Sequence, residues 1–290
     1  MYNKIVTHRP LHHADDFVGV CLLKANRINA EIETVAPQDP RLLDWRDDPE
    51  IALVDVGRCH DPHLYCFDHH HDPELECSAV LVARAMGYQR FAASSAAHFM
   101  TTKDLFGIDE ASKVHHYTPN VESARNERIL VNLGFGKTVV QAVATSAANC
   151  TVDMGYDEFV LQVLRRAGAQ AVGRAKSRIV AQNHKTREAL KRCELVEHGP
   201  WRVVISQEVV SSQAALAEYK AHLVISPDTR DPRNTAITTR LRESPAQNVD
   251  LSRASEAFGM QQVFLHNGGF ISVLKGTVAD PKSALSRLLG

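Results

Sequence analysis

The chain has 290 residues, of which 44% are hydrophobic and 23% charged, values typical of a globular protein with a sizeable core. The formal net charge of −1 excludes a general attraction to nucleic acid, so any contact with a polyanion must come from a local patch. No apolar run is long enough to span a membrane, and the first ten residues lack the apolar centre of a signal peptide. Six scattered cysteines without a CxxC pair argue against a disulfide framework, and the sequence predicts a cytoplasmic protein.

Short strand-like runs and helical patterns alternate in the first part of the chain. Strands are predicted at 4–8, 30–37 and 51–57, with a further short strand in "LYCF" (64–67), and helices at 15–24 and 78–87. Asp15 and Asp16 stand in the first turn of the first helix, where carboxylates favour the helix N-terminus. This order predicts an α/β domain over 1–154 with a doubly wound, mainly parallel sheet.

The middle of the chain is helical and basic, and the last third is rich in strand-like runs. Residues 155–195 are predicted as a helical connector. Between Arg165 and Arg192 this connector is clearly basic. This basic face either is simply solvated or contacts a nucleic-acid strand. Residues 196–290, with runs such as "WRVVI" and "NTAITTRL", predict a smaller α/β C-terminal domain.

Histidines and aspartates collect where the predicted strands end. His8 ends the first strand, Asp55 lies near the end of the third, and Asp68 to His70 follow the short strand. Ligands of such sheets bind beyond the carboxyl ends of the strands, so these side chains should converge. Imidazole nitrogens and carboxylate oxygens together suit Mn²⁺, Fe²⁺, Zn²⁺ or Co²⁺ rather than Ca²⁺. A carboxylate can also bridge two such ions, an arrangement used in phosphoryl chemistry.

The motifs themselves resemble a known superfamily. "THRPLHHADD" (7–16), "VDVG" (54–57) and "DHH" (68–70) occur in the order and spacing of the DHH phosphoesterases. The sequence is most similar to the MYG1 branch (UPF0160 proteins), whose first motif reads Thr-His, four residues, His, one residue, Asp. "VFLHNGGFISVLKG" (263–276) resembles that branch's C-terminal signature, although its Gly-Gly after isoleucine is Ser272-Val273 here.

The resemblance implies two divalent cations, Mn²⁺ first, with Mg²⁺, Co²⁺ or Fe²⁺ as alternatives. One would be held by His8, His13 and Asp55, and the other by Asp15, Asp55 and His69. Asp104 would add a ligand to the second cation, with Asp109 as the alternative. His70 would face the scissile phosphate and Asp68 would orient a neighbouring histidine. The implied substrate contacts of the C-terminal domain are Arg240, Arg242, His266, Asn267, Gly268 and Gly269.

The implied activity is divalent-metal-dependent phosphodiester hydrolysis, as a 3′–5′ exonuclease on RNA or short oligonucleotides. One alternative is hydrolysis of a small substrate such as a cyclic dinucleotide, a nucleoside bisphosphate or pyrophosphate. The other is an inactive nucleotide-binding module. The near-neutral net charge favours a small substrate, whereas the basic connector favours a strand. No membrane partner is expected, and a homodimer is compatible with the sequence.

Overall fold

The structure is a computed structural model, and it describes residues 1–8, 13–229, 231–239, 249–265, 269 and 271–289. The chain divides into two compact units, Met1–Val180 and Ala181–Gly290. This division falls inside the long helical segment that occupies most of the predicted connector, residues 155–195. The predicted fold class is confirmed: the chain is mixed α/β, with a largely parallel first sheet and a second unit built on its own sheet.

The first unit begins with a strand and a buried helix and becomes mainly helical after its sheet is complete. Its elements are β1 Lys4–His8, α1 Ala14–Asn26, β2 Glu31–Val35, α2 Arg41–Trp45, β3 Ile51–Val54, β4 His60–Asp61, β5 Cys66–Phe67, α3 Ser78–Ala85, α4 Gln89–Ala92, α5 Ser95–Phe106, α6 Ile108–Val114, α7 Val121–Val131 and α8 Lys137–Ala148. The long segment α9, Tyr156–Leu190, continues into the second unit, and its backbone is not helical at Gly168 (φ +82°, ψ 162°).

The sheet of the first unit is doubly wound. Within the described ranges its strand order is β2-β1-β3-β5-β4, and every neighbouring pair is parallel except β4 with β5. Helices α1 and α3 share a core with Ile5, Ala52 and Val54, whereas Leu42 of α2 packs with Val6 and Leu53 on the other face. The connection from β1 to β2 runs through α1 on one face of the sheet, and the connection from β2 to β3 runs through α2 on the other face. Because β2 and β3 lie on opposite sides of β1, the topological switch point is between β1 and β3.

The third strand ends earlier than predicted. β3 covers Ile51–Val54, all buried, and stops before Asp55 rather than at 57. The reason is conformational: Asp55 and Gly57 have φ angles of +58° and +98°, which no extended strand can adopt. Aspartate tolerates this left-handed region better than most residues, and glycine adopts it without a steric cost.

The second unit contains a mixed sheet with helices on both faces. Its elements are β6 Glu194–His198, β7 Trp201–Ile205, α10 Ser212–Glu218, β8 Leu223–Pro227, β9 Thr235–Thr239, a 3-10 turn Leu251–Arg253, α11 Ala254–Phe258, β10 Gln262–Leu265, β11 Ile271–Leu274 and α12 Pro281–Leu289. Among these the strand order is β10-β11-β9-β8-β7-β6, and only β7 and β8 are parallel. β6 starts inside the predicted helical connector, because "ELVEH" pairs along its whole length with β7.

Two separate apolar clusters stabilise this second sheet. One face packs Val203, Ile225 and Leu274 against α11 and α12, and the other packs Val204 and Val224 against α10. In the part of the chain that the structure describes, no helix has the length and apolar character needed to cross a bilayer.

Candidate metal centre

The ends of β1 and β3 bring the predicted ligands together at the switch point. His8 is the last residue of β1, Asp55 follows β3, and His69 comes two residues after β5. These three side chains are almost completely buried. The N-terminus of α1 contributes Asp15 and Asp16, which are 1% and 0% exposed. Four segments thus place acidic and imidazole groups at one edge of the sheet.

Asp55 contacts a different histidine with each of its two carboxylate oxygens. Its Oδ2 lies 3.0 Å from Nε2 of His8, and its Oδ1 lies 3.1 Å from Nε2 of His69. Each histidine also contacts a second carboxylate: His8 Nε2 lies 2.8 Å from Asp16 Oδ2, and His69 Nε2 lies 2.8 Å from Asp104 Oδ2. Asp55 therefore stands between two ligand groups.

The ligand atoms fall into groups small enough to surround single ions. In one group, Asp15, Asp55, His69 and Asp104 each offer an atom within 4.8 Å of the others. In a second group, His8, Asp16 and Asp55 meet the same criterion. Asp55 also groups with His69 and His70, and His13 groups with Asp15 and Asp16.

The loop after β5 is organised by Asp68. Its Oδ1 accepts hydrogen bonds from the backbone amide (2.9 Å) and Nδ1 (2.7 Å) of His70, and its Oδ2 accepts one from the backbone amide of Arg58 (2.7 Å). Asp68 is 2% exposed, whereas the side chain of His70 is 51% exposed. Asp68 therefore fixes the orientation of a ring that solvent can reach.

Several buried polar atoms of the cluster lack hydrogen bonds. Such atoms show whether the site suits divalent cations. Among the described residues, the carboxylate oxygens of Asp15 and Asp16 have no hydrogen-bond partner. The same is true of both ring nitrogens of His69. The contact of His8 with Asp16 and the contacts of His69 with Asp55 and Asp104 therefore lack the alignment of hydrogen bonds. Unpaired buried polar groups are costly, whereas these donor types are good ligands of divalent transition metals. The residues present fit such cations.

The pKa shifts of the carboxyl groups also indicate a site suited to cations. Burial, followed by repulsion from Asp104 and Asp16, raises the pKa of Asp15 well above its usual value. Burial and the charge of Asp55 raise the pKa of Asp16 to about 7. Burial alone would also raise the pKa of Asp55, but the imidazoles of His69 and His8 hold it well below its usual value. Burial would likewise raise the pKa of Asp104, but His13 and His69 lower it, so the histidines stabilise Asp55 and Asp104, whereas Asp15 and Asp16 remain in excess.

The two buried histidines respond to these carboxylates. Burial alone would lower the pKa of His8, but Asp16 and Asp55 raise it to about 11. In the same way, Asp104 and Asp55 overcome the effect of burial and raise the pKa of His69 to about 11. Protons on these rings compensate the surplus negative charge of the cluster. Divalent cations would provide that compensation more completely.

The structure assembles one implied ligand set and divides the other. Asp15, Asp55, His69 and Asp104 lie together, whereas Asp109, the alternative to Asp104, is exposed in the first turn of α6. His8, His13 and Asp55 do not form one group among the described residues. His13 precedes α1 in an extended conformation, and its Nδ1 lies 3.0 Å from Asp104 Oδ1 and 4.0 Å from Asp15 Oδ1.

Two contacts of the centre were not predicted from the sequence. Asp16 contacts His8, although its position in the first turn of a helix suggested only a favourable interaction with the helix dipole. Ser78, the first residue of α3, is completely buried and donates a hydrogen bond of 2.8 Å to Asp55 Oδ1. The pair Asp15-Asp16 before an apolar stretch was the available signal for Asp16; no local pattern indicated Ser78.

Most of the predicted substrate contacts lie outside the described residues. These are Arg240, Arg242, His266, Asn267 and Gly268. Gly269 is described, and its φ of +69° requires a residue that tolerates the left-handed region. Ser272, part of the departure from the C-terminal signature, is buried in β11 and accepts a hydrogen bond of 2.6 Å from Gln262 Nε2.

Comparisons with known proteins agree with the N-terminal motifs. The model of a family described as "Uncharacterised protein family (UPF0160)", MYG1_exonuc, matches residues 4–102, roughly a third of the chain. The matched range contains His8, Asp55 and His69 and ends two residues before Asp104. It does not reach the C-terminal signature at 263–276. No curated protein matches the chain.

Among solved structures, the chain is similar to a pGpG-specific phosphodiesterase, PggH, from Vibrio cholerae. The two are 14% identical with a TM-score of 0.48, and the alignment covers 100% of this chain and 98% of the other. At that level of similarity, nothing about the substrate of this chain follows from the name of the other protein. The family match, together with the buried ligand groups at the switch point, confirms the prediction that the chain is an enzyme of the phosphoesterase class.

Proposed function

We propose that the chain hydrolyses phosphodiester bonds with two divalent cations, Mn²⁺ in the first instance, held by the described cluster. We call the cation beside His8 the first cation; it would be held by His8 and Asp55 with a further ligand. The second cation would be held by Asp15, Asp55, His69 and Asp104. Cations at such a site polarise a phosphoryl oxygen and lower the pKa of bound water, so that hydroxide is available near neutral pH.

One observation carries this proposal. The two oxygens of Asp55 face His8 and His69 separately, and each histidine contacts one more carboxylate. A single carboxylate between two ligand groups is what a bridged pair of cations requires. A purely structural cluster would leave fewer buried oxygen atoms without partners.

His70 and Asp68 are proposed to act on the substrate side of the centre. The Nδ1 of His70 donates to Asp68, which leaves Nε2 of this half-exposed ring available for a phosphate oxygen. Burial alone would lower the pKa of His70, but Asp68 and Asp55 raise it above its usual value, which favours the protonated ring. A protonated imidazole at this position would stabilise the negative charge that develops on the phosphate.

RNA or short oligonucleotides, attacked from the 3′ end, are the proposed substrates. The exposed basic residues of α9, among them Arg165, Arg166 and Lys176, support a polyanionic partner. The small-substrate alternative rests on the net charge of −1. The cytoplasmic location and the homodimer stay predictions.

Replacing Asp55 tests the activity. We expect Asp55→Asn to lower turnover of a phosphodiester by more than about 100-fold, because the amide cannot bridge cations as a carboxylate does. His69→Ala should have a similar effect. Exposed neighbours provide matched controls: Asp109→Asn and His71→Ala should retain wild-type turnover. Far-ultraviolet circular dichroism and metal analysis of each variant separate loss of function from loss of fold. Wild-type turnover by metal-loaded Asp55→Asn would refute the proposal.

The length of the substrate decides between the two substrate classes. Turnover of labelled 20-residue and 5-residue RNA should exceed turnover of dinucleotides, and it should fall steeply with added salt because counterions are released on binding. A variant that combines Arg165→Glu and Arg166→Glu should lose activity on the long RNA and retain it on dinucleotides. Preference for dinucleotides in both proteins would support the small-substrate alternative instead.

A further inference from the structure

Asp16 is a completely buried carboxylate to which the implied ligand sets assign no role. It stands next to Asp15 in the first turn of α1, and both of its oxygens lack a hydrogen-bond partner among the described residues. A buried carboxylate without hydrogen bonds is among the most expensive groups that a protein can contain. The neighbouring His8 offsets part of this charge, and a divalent cation would offset it more completely.

The geometry around Asp16 supplies the place for that ligand. Asp16 Oδ2 lies 2.8 Å from His8 Nε2, and the same nitrogen lies 3.0 Å from Asp55 Oδ2. His8, Asp16 and Asp55 each offer one ligand atom within 4.8 Å of the others, and all three residues are buried. Neither oxygen of Asp16 makes an aligned hydrogen bond among the described residues, so Asp16 has ligand atoms available for a cation that His8 and Asp55 can also reach.

His13, the ligand that the family resemblance implies for this position, is arranged differently. Its side chain is 57% exposed, and its ring centroid lies 6.2 Å from that of His8. Its Nδ1 hydrogen-bonds with Asp104, which belongs to the other ligand group. Among the described residues, the ligand atoms of His13 group with those of Asp15 and Asp16 but not with those of His8 and Asp55.

The charges of the cluster agree with a role for Asp16. With Asp16 included, the two groups contain four carboxylates: Asp15, Asp16, Asp55 and Asp104. Four carboxylates neutralise two divalent cations completely. A mixed set of carboxylate and imidazole ligands is also well suited to Mn²⁺.

We infer that Asp16 is a ligand of the first cation, together with His8 and Asp55, and that His13 is not required to hold that cation. This inference rests on the proposed two-cation function. It assigns His13 to the open side of the centre, where a half-exposed ring can meet the substrate.

Counting Mn²⁺ ions and recording their electron paramagnetic resonance spectrum tests the inference without an activity assay. The wild-type chain should bind two Mn²⁺ per chain with a spin-coupled spectrum, because bridged ions interact magnetically. Asp16→Asn should bind the first ion at least about 100-fold more weakly and show the spectrum of isolated Mn²⁺. His13→Ala should retain two coupled ions. Asp153→Asn, an exposed carboxylate of the same unit, is the control.

The outcomes separate the inference from the proposed function. Two tightly bound, coupled ions in Asp16→Asn, or loss of one ion in His13→Ala, would overturn the inference and leave the proposed function standing. A wild-type chain that binds no ion pair would overturn both. If Asp16→Asn does not fold, the His13→Ala result alone decides, because the implied ligand set requires that variant to lose an ion.

Discussion

At the residue scale, Asp55 is held in place by contacts on both carboxylate oxygens. His8 faces Oδ2, while His69 and the hydroxyl of Ser78 face Oδ1. The backbone of Asp55 lies in the left-handed region, and such conformations persist at functional sites when the surroundings fix them. Ser78 therefore acts as a positioning residue for the carboxylate that both ligand groups share.

Ser78→Ala should weaken Mn²⁺ binding by about 10-fold, since partners that orient metal ligands contribute 10- to 100-fold to affinity. Ser146→Ala is a matched control, because Ser146 is also completely buried and its hydroxyl has no hydrogen-bond partner in the described chain. That control should bind Mn²⁺ as the wild type does. Isothermal titration of both variants makes the comparison, and equal affinities would show that Ser78 does not position Asp55.

The sequence indicated which residues stand at strand ends, but not the contacts that depend on three-dimensional direction. His8, Asp55 and His69 could be predicted because the ends of parallel strands share one edge of the sheet. Asp16 could not, because the direction of the α1 axis decides whether two consecutive helical residues reach the same centre. Ser78 lies 23 residues from Asp55, and its hydrogen bond depends on how α3 packs.

At the element scale, the turn after β3 sets the position of the whole centre. Gly57 has a φ of +98°, and a Cβ at this position would lie 2.9 Å from Leu53 Cδ1. The predicted strand 51–57 missed this turn, because "LVDVG" continues the apolar pattern and the pattern does not reveal a change in φ. The mainly parallel, doubly wound arrangement could be predicted more readily, since alternating strands and helices favour it.

Gly57→Ala should destabilise the fold by about 1–3 kcal/mol and lower Mn²⁺ affinity, because it strains the backbone two residues after Asp55. Gly87→Ala is the matched control: Gly87 has a similar φ of +83°, but a Cβ there would contact nothing within 4 Å. The control should cost about 1 kcal/mol and leave Mn²⁺ affinity unchanged. Urea unfolding and Mn²⁺ titration of the two variants test this, and unchanged affinity in Gly57→Ala would contradict the role of the turn.

At the scale of the whole molecule, all ligands of the proposed centre belong to the first unit. The ligand residues lie between His8 and Asp104, whereas the second unit begins at Ala181. The predicted substrate contacts of the second unit fall almost entirely on residues that the structure does not describe. How a substrate is held therefore stays a prediction.

Cation binding should stabilise the first unit selectively. At a free Mn²⁺ concentration about 100 times the dissociation constant, binding adds about 2.7 kcal/mol of stability to the state that binds it. Hydrogen exchange on the full chain should slow at 13–22 and 51–56 and stay unchanged in β7 and β8. A chelator should reverse the effect. Equal protection of both units, or of neither, would contradict a centre built by the first unit.

The most direct test is anomalous X-ray scattering from crystals grown with Mn²⁺, recorded near the manganese absorption edge. We predict two anomalous peaks per chain, about 3.5–4 Å apart, on either side of the Asp55 carboxylate. The peak on one side should lie against His8, and the other against His69 and Asp104. A single peak, or peaks remote from Asp55, would contradict a two-cation centre at the ends of β1 and β3.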